Sequence, residues 1–328
     1  MKKPLISIIT PTYNRADLLS HAINSVINQK QDIPFDWEML IVDDWSTDTT
    51  SQVVEEYIKK YPQNIKYFYQ KNSWIPGVAR NVWLDNMSSE STYVIFLDSD
   101  DELVDDCIQT CLYRWNMLLK ENKYDHVDNI HFFMKGSDGS LVWSKSIFKN
   151  VKKYLTISYK DILANKFAFA FESMIKSKPF LENNLLRFDK QYISEAILWL
   201  IMSKESYERW CYDIFIDYTW YIYRRDHDWL QITKTIDTQR FRNNALWNAK
   251  ALDIINKDLI SFWYRHTYAD YLFREGINWI LYGEKKKWLA LLKSSLRIQF
   301  SLKVFVLYVI SLLSQNLILL LYKIESKI

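Results

Sequence analysis

The chain has 328 residues, 49% hydrophobic and 25% charged, which excludes a disordered polypeptide and provides enough apolar material for one large core or two smaller ones. Its formal net charge of +3 gives no basis for a nucleic-acid partner. Cys107, Cys111 and Cys211 have neither disulfide nor metal-ligand spacing, so reduced thiols in an intracellular, cytoplasmic protein are expected. Met1 to Pro4 runs straight into a strand-like segment, so no signal peptide is expected there.

Leu5 to Thr10 is a short β-rich apolar run ended by Pro11, which predicts a buried strand. Asp17 then precedes the periodic Leu18, Leu19, Ala22, Ile23, Val26 and Ile27, which predict a helix. Glu38 to Val42 predicts a second strand, with Asp43 and Asp44 at its end. Thr49 to Tyr61 predicts a helix, Ile65 to Tyr69 a third strand and Val78 to Met87 a helix. Tyr93 to Leu97 predicts a fourth strand that delivers Asp98. Alternating helices and near-continuous apolar strands imply an α/β fold: a doubly wound, mostly parallel sheet flanked by helices. Ligands of such sheets bind beyond the carboxyl ends of the strands. Asn14, Asp43, Asp44, Asp98 and Asp100 all follow predicted strand ends, so one shared site is expected.

The middle of the chain reads less clearly. Gly136 to Gly139 is a turn, Ile193 to Met202 a helix, and Phe215 to Tyr223 an aromatic strand; from Thr238 onward the pattern is helical. The expected organisation is a catalytic region over 1–235, divided into 1–105 and 106–235, followed by a helical extension over 236–328. Ser301 to Tyr322 is mostly apolar but interrupted by Ser314, Gln315 and Asn316. The basic Lys285, Lys286, Lys287, Lys293 and Arg297 lie upstream. Peripheral contact with an anionic membrane face is one expectation, and helices that pack on a protein surface are the alternative.

Asp98-Ser99-Asp100, with Asp101 and Glu102 behind it, carries the strongest chemical signal. Adjacent carboxylates at a strand end repel one another unless a cation sits among them. A hard Mn²⁺ or Mg²⁺ ion takes carboxylate and diphosphate oxygens together. Asp43-Asp44 repeats the placement. Those carboxylates either accept hydrogen bonds from a base or ribose or help to cap the helix that follows. Arg80, near a helix start after Pro76-Gly77, is either a phosphate or base contact or a surface arginine.

Four stretches in this order resemble the inverting glycosyltransferases of family 2, which have the GT-A fold. They are Ser7-Ile8-Ile9-Thr10-Pro11-Thr12-Tyr13-Asn14-Arg15, Ile41-Val42-Asp43-Asp44-Trp45-Ser46-Thr47-Asp48, Gly77-Val78-Ala79-Arg80-Asn81 and Phe96-Leu97-Asp98-Ser99-Asp100-Asp101. The resemblance implies that the turn through Thr10, Pro11, Tyr13 and Asn14, together with Asp43, Asp44 and Arg80, forms a nucleotide-sugar site. It implies that Asp98, Ser99 and Asp100 serve the sugar nucleotide and a Mn²⁺ or Mg²⁺ cofactor bound by Asp98 and Asp100. The family's general base is an Asp in a Glu-Asp pair. Here the pair reads Glu195-Ala196, so Glu195 is either the displaced base or a carboxylate favoured by a helix start. Tyr221 to Arg225 resembles an aromatic-basic segment near the donor diphosphate, which makes Arg224 or Arg225 a candidate for stabilising the leaving group; an aromatic strand with solvated arginines is the alternative.

The resemblance implies transfer of a sugar from a nucleotide diphosphate sugar, expected to be a UDP-sugar, to a glycan or lipid-linked acceptor at the inner face of the membrane. Two alternatives remain. A sugar nucleotidyltransferase is disfavoured by the absence of glycine from Thr12 to Ala16, and Ala196 leaves room for a catalytically degenerate binding or scaffold domain. Residue usage adds an oddity, since 14 tryptophans stand against 5 glycines. Trp45 and Trp74 occupy turn positions where the family carries glycine, and Trp83 sits where a small residue is common. Some of these tryptophans are therefore suspected of being glycine codons, UGA, translated as tryptophan.

Overall fold

The structure is a computed structural model that describes residues 3–71, 76–122, 124–139, 154–164, 172–182, 195–223 and 238–313. The strands are β1 (Leu5–Thr12), β2 (Asp36–Asp43), β3 (Ile65–Tyr69), β4 (Ser91–Phe96), β5 (Glu102–Leu103), β6 (Val127–Gly136), β7 (Leu155–Ile157), β8 (Glu172–Lys176) and β9 (Tyr212–Tyr223). The helices are α1 (Ala16–Ile27), α2 (Thr50–Lys60), α3 (Pro76–Asn86), α4 (Cys107–Lys120), α5 (Tyr159–Leu163), α6 (Lys178–Glu182), α7 (Glu195–Glu208), α8 (Thr238–Ser261), α9 (Arg265–Tyr282), α10 (Lys285–Ile298) and α11 (Leu302–Leu313).

One sheet runs in the order β3-β2-β1-β4-β8-β6-β9-β5, with β7 on β9. Its first four strands are parallel, in register Ile8 with Met39 and Ile8 with Ile95. Beyond β4 the sheet is mixed: β8 lies antiparallel to both β4 and β6, while β6 and β9 are parallel. This is a GT-A-type sheet, with the parallel half built by the β-α-β units read from the sequence.

The parallel half is covered on both faces. Ile6 and Ile8, Met39 and Ile41, and Tyr93 and Ile95 join one core with Leu19 and Ile23 of α1, Val54 of α2, and Ile108 and Trp115 of α4. The opposite face carries Trp83 of α3 edge-on against Phe96, ring centroids 5.3 Å apart. At the strand starts that face also buries a polar knot: Ser7 Oγ donates to Glu38 Oε1 (2.6 Å), and Lys66 pairs with Glu38 Oε2 (2.7 Å). Both faces being buried explains why these strands read as continuous apolar runs.

By contact the chain forms two compact units. One comprises 1–159, 168–191 and 202–228, and the other 160–167, 192–201 and 229–328. The first contains the whole sheet. In the second, Trp279, Ile280, Trp288, Leu292 and Val304 of α9, α10 and α11 share a core with Phe241 and Ala245 of α8. Among the described residues no helix is long and apolar enough to cross a membrane. All three cysteines are free and buried, and burial pushes the Cys107, Cys111 and Cys211 thiols above their ordinary values.

Candidate functional site

The carboxyl ends of β1, β2 and β4 lie side by side because the three strands are neighbours in parallel register. The chain leaves β1 through Tyr13, Asn14 and Arg15. Asn14 adopts the left-handed region (φ 50°), which asparagine tolerates better than other side chains do. Its N–H donates to Ser46 Oγ (2.8 Å), and its Oδ1 accepts the Thr47 N–H (2.7 Å). The turns after β1 and β2 are thereby stitched together. Asp48 completes the seam, because its Oδ2 accepts the N–H of Ala16, the first residue of α1 (3.2 Å). Its Oδ1 accepts the Thr50 hydroxyl (2.5 Å) and N–H (3.0 Å). Burial opposes the charge on Asp48, but the hydrogen bonds from Thr50 and Ala16 outweigh it and hold the carboxyl below its ordinary value.

Asp43 and Asp44 divide the work at the end of β2. Asp43 is fully buried, and both oxygens are engaged: Oδ1 accepts the Ser46 N–H (2.7 Å) and Oδ2 the Tyr67 hydroxyl (2.6 Å). Burial, followed by this bond, pushes the Tyr67 phenol far above its usual range. Asp44 is half-buried and accepts Gln70 Nε2 through Oδ1 (2.9 Å). Asp44 is therefore a positioned, half-buried carboxylate at the strand end, while Asp43 braces the turn from within.

Asp98, Asp100 and Asp101 follow β4, and their carboxylate oxygens lie within 4.8 Å of one another. Asp98 is exposed, Asp100 half-buried and Asp101 buried. The bond from the Asp101 N–H to the Asp98 carbonyl (3.1 Å) closes the turn and holds the carboxylates together. Arg15 Nη2 lies 3.7 Å from Asp100 Oδ2, so the β1 turn reaches the acidic cluster and offsets part of its charge. An all-oxygen, multiply charged donor set of this size suits a hard divalent cation such as Mn²⁺ or Mg²⁺.

The expected residues are thus brought together at β1, β2 and β4. Tyr13 is about half exposed at the rim, Pro11 half-buried, and Ser99 buried. The Thr10 and Thr12 hydroxyls are buried with no hydrogen-bond partner among the described residues. Arg80 lies in α3 and Glu195 opens α7, but their side chains fall outside what is described. Arg224 and Trp74 lie outside the described residues altogether. The sequence reading had assigned no role to Arg15, Tyr67 or Gln70. Gln70 directly follows β3, and that strand-end position was the available signal.

The pattern of the glycosyl transferase family 2 matches residues 7–177, more than half of the chain and the region that carries the site. The chain belongs to glycosyltransferase family 2. It is 38% identical over 205 residues to a GalNAc(5)-diNAcBac-PP-undecaprenol beta-1,3-glucosyltransferase of Campylobacter jejuni; that match covers 62% of this chain and 61% of the relative. It is 31% identical over 262 residues to the poly(ribitol-phosphate) beta-N-acetylglucosaminyltransferase TarP of Staphylococcus aureus, covering 76% of this chain and 72% of the relative. In fold it resembles S. aureus TarS residues 1–349, solved in complex with UDP-GlcNAc. The TM-score is 0.63 at 23% identity, over 91% of this chain and 82% of that one. Family 2 membership accounts for a sheet whose parallel half ends in a carboxylate-rich site.

Proposed function

We propose that the protein is a hexosyltransferase that moves a sugar from a nucleotide diphosphate sugar, a UDP-sugar, to a hydroxyl of a glycan or lipid-linked acceptor with inversion, in cell-surface polysaccharide biosynthesis. The observation that carries this reading is the convergence of the Asn14 turn, the positioned Asp44 carboxylate and the Asp98, Asp100 and Asp101 cluster beyond three parallel strands. The glucosyl- and N-acetylglucosaminyltransferase names of the relatives support the reaction class, and TarS with UDP-GlcNAc supports the donor class.

In this reading Tyr13 and the turn from Thr10 to Asn14 cradle the base, and Asp44 accepts hydrogen bonds from base or ribose. Asp43 acts through the turn it braces. Asp98 and Asp100 would hold a Mn²⁺ or Mg²⁺ ion, which when bound neutralises charge on the departing diphosphate. Ser99, Arg80 and Arg224 complete the donor contacts. Glu195 takes the proton of the acceptor hydroxyl as that oxygen attacks the anomeric carbon from the face opposite the diphosphate. Ala196, where the family has the base, favours a second reading in which the domain binds the donor without turnover.

The same proposal puts the protein in the cytoplasm, against the inner face of the membrane. Leu302, Phe305, Val306, Val309 and Leu312 are exposed along α11 at helical spacing. No acidic residue occurs from Lys285 to Ile324, whereas Lys285, Lys286, Lys287, Lys293, Arg297 and Lys303 do. An apolar stripe with basic flanks suits an anionic lipid surface and a lipid-linked acceptor.

Calorimetric titration with UDP, with and without Mn²⁺, tests the donor site. Metal-dependent binding that Asp100→Ala abolishes is expected; equal binding in the absence of metal removes the assigned role of the acidic cluster.

A further inference from the structure

Five non-glycine residues among those described have a left-handed backbone: Asn14 (φ 50°), Asn122 (φ 56°), Trp45 (φ 77°), Trp210 (φ 60°) and Trp263 (φ 61°). Asparagine visits this region through its short polar side chain. A bulky aromatic residue there is an outlier. Three tryptophans in five is far from what 14 tryptophans in 328 residues would place there without a cause.

Trp210 and Trp263 share one local geometry. After α7, the Trp210 N–H donates to the Tyr207 carbonyl (3.0 Å) and the Cys211 N–H to Ser206 (2.7 Å). After α8, the Trp263 N–H donates to Ile260 (3.2 Å) and the Tyr264 N–H to Leu259 (2.9 Å). This pair of bonds is the Schellman closure, whose left-handed residue is usually glycine. The chain makes the same closure after α9 with a glycine: the Gly283 N–H donates to Ile280 (3.0 Å) and the Glu284 N–H to Trp279 (2.9 Å), at φ 112°.

The indoles at these places contribute little. Trp210 is 86% exposed and Trp263 72% exposed, with Arg265 over the Trp263 ring at 5.1 Å. Trp45 is half-buried in the turn between Asp44 and Ser46, with Lys71 Nζ 5.2 Å from its ring. Other tryptophans behave as tryptophans should. Trp83 and Trp115 are buried and pack on Phe96 and Tyr93, and Trp37 packs on Tyr61 from β2; none of the three is left-handed.

We infer that residues 45, 210 and 263 are glycine in the protein its own cell makes, encoded by UGA codons that this cell reads as glycine. UGA differs by one base from the tryptophan codon UGG and by one base from the glycine codon GGA. Read with a table in which UGA means tryptophan, such a gene yields this chain: few glycines, many tryptophans, and tryptophan where the backbone demands glycine. A glycine at 45 also clears an indole from the turn beside Asp44, and that consequence alone rests on the proposed donor site.

The gene tests the inference directly. UGA at codons 45, 210 and 263 with UGG at 37, 83 and 115 is expected; UGG at 45, 210 and 263 overturns it. The chain as written gives an independent measurement. Trp210→Gly and Trp263→Gly should each raise the midpoint of thermal unfolding, whereas Trp37→Gly should lower it. A lower midpoint for both helix-end variants shows that these positions do not require glycine. Trp45→Gly should in addition tighten UDP binding. If it does not while the helix-end variants gain stability, the donor assignment fails and the glycine assignment stands.

Discussion

Replacing Asn14 separates two contributions at the centre of the site. The side-chain oxygen accepts the Thr47 N–H at 2.7 Å, and the backbone sits at φ 50°. Asn14→Gly removes this acceptor, and with it the longer bonds from the Thr47 hydroxyl and the Asp48 N–H (3.4 Å each), but keeps the conformation cheap, so its loss is that of one exposed acceptor, about 1 kcal/mol. Asn14→Ala removes the bonds and also the short polar side chain that lets asparagine tolerate the left-handed region, a loss of about 1–2 kcal/mol more. The alanine variant should therefore lose about 2–3 kcal/mol in total, and the gap between the two variants isolates the backbone term. Urea melts at unchanged slope measure both values. In each variant, loosening of the seam between the two turns should weaken UDP binding in step with stability. Equal losses for Gly and Ala would refute the backbone argument. An unchanged alanine variant would refute the seam itself.

Other outcomes follow from the same geometry. Asp48 is held below its ordinary value of 3.8 in the folded protein, so its contribution to stability is present above that value and disappears as pH falls through the folded one. Asp48→Asn should flatten the acid side of a stability–pH profile, and an unchanged profile counts against the Thr50 and Ala16 bonds as its cause. Glu195→Gln should cut turnover by about 10²-fold or more while leaving UDP affinity intact, in keeping with a proton acceptor; full activity would remove Glu195 from that role. Phe305→Ser combined with Val309→Ser should reduce co-sedimentation with phosphatidylglycerol-containing vesicles, and salt should do the same; equal sedimentation with neutral and anionic vesicles contradicts the charge argument.

The sequence by itself determined the parallel half and the carboxylates at its strand ends. Strands buried on both faces must be continuous apolar runs, and helices between them must show their own period. β1 to β4 with α1 to α3 were therefore legible from local composition, and so was Asp98-Ser99-Asp100 at a strand end. The mixed half was not legible. β6 carries Asp128, Asn129 and His131 into the interior, where they hydrogen-bond to residues far along the chain: Asn129 to Asp213 (2.6 Å), His131 to Ser173 (2.5 Å), and Asp128 to Arg209 (2.6 Å). Buried polar residues break the apolar signal, and no local pattern announces pairing across roughly 40 to 85 positions of chain. The same limit hid Arg15 beside Asp100 and Gln70 beside Asp44. Only tertiary structure decided which turns meet, because hydrogen bonds between segments depend on strand order and not on spacing. It also revealed Trp210 and Trp263 as glycine positions, since the sign of φ belongs to the folded backbone.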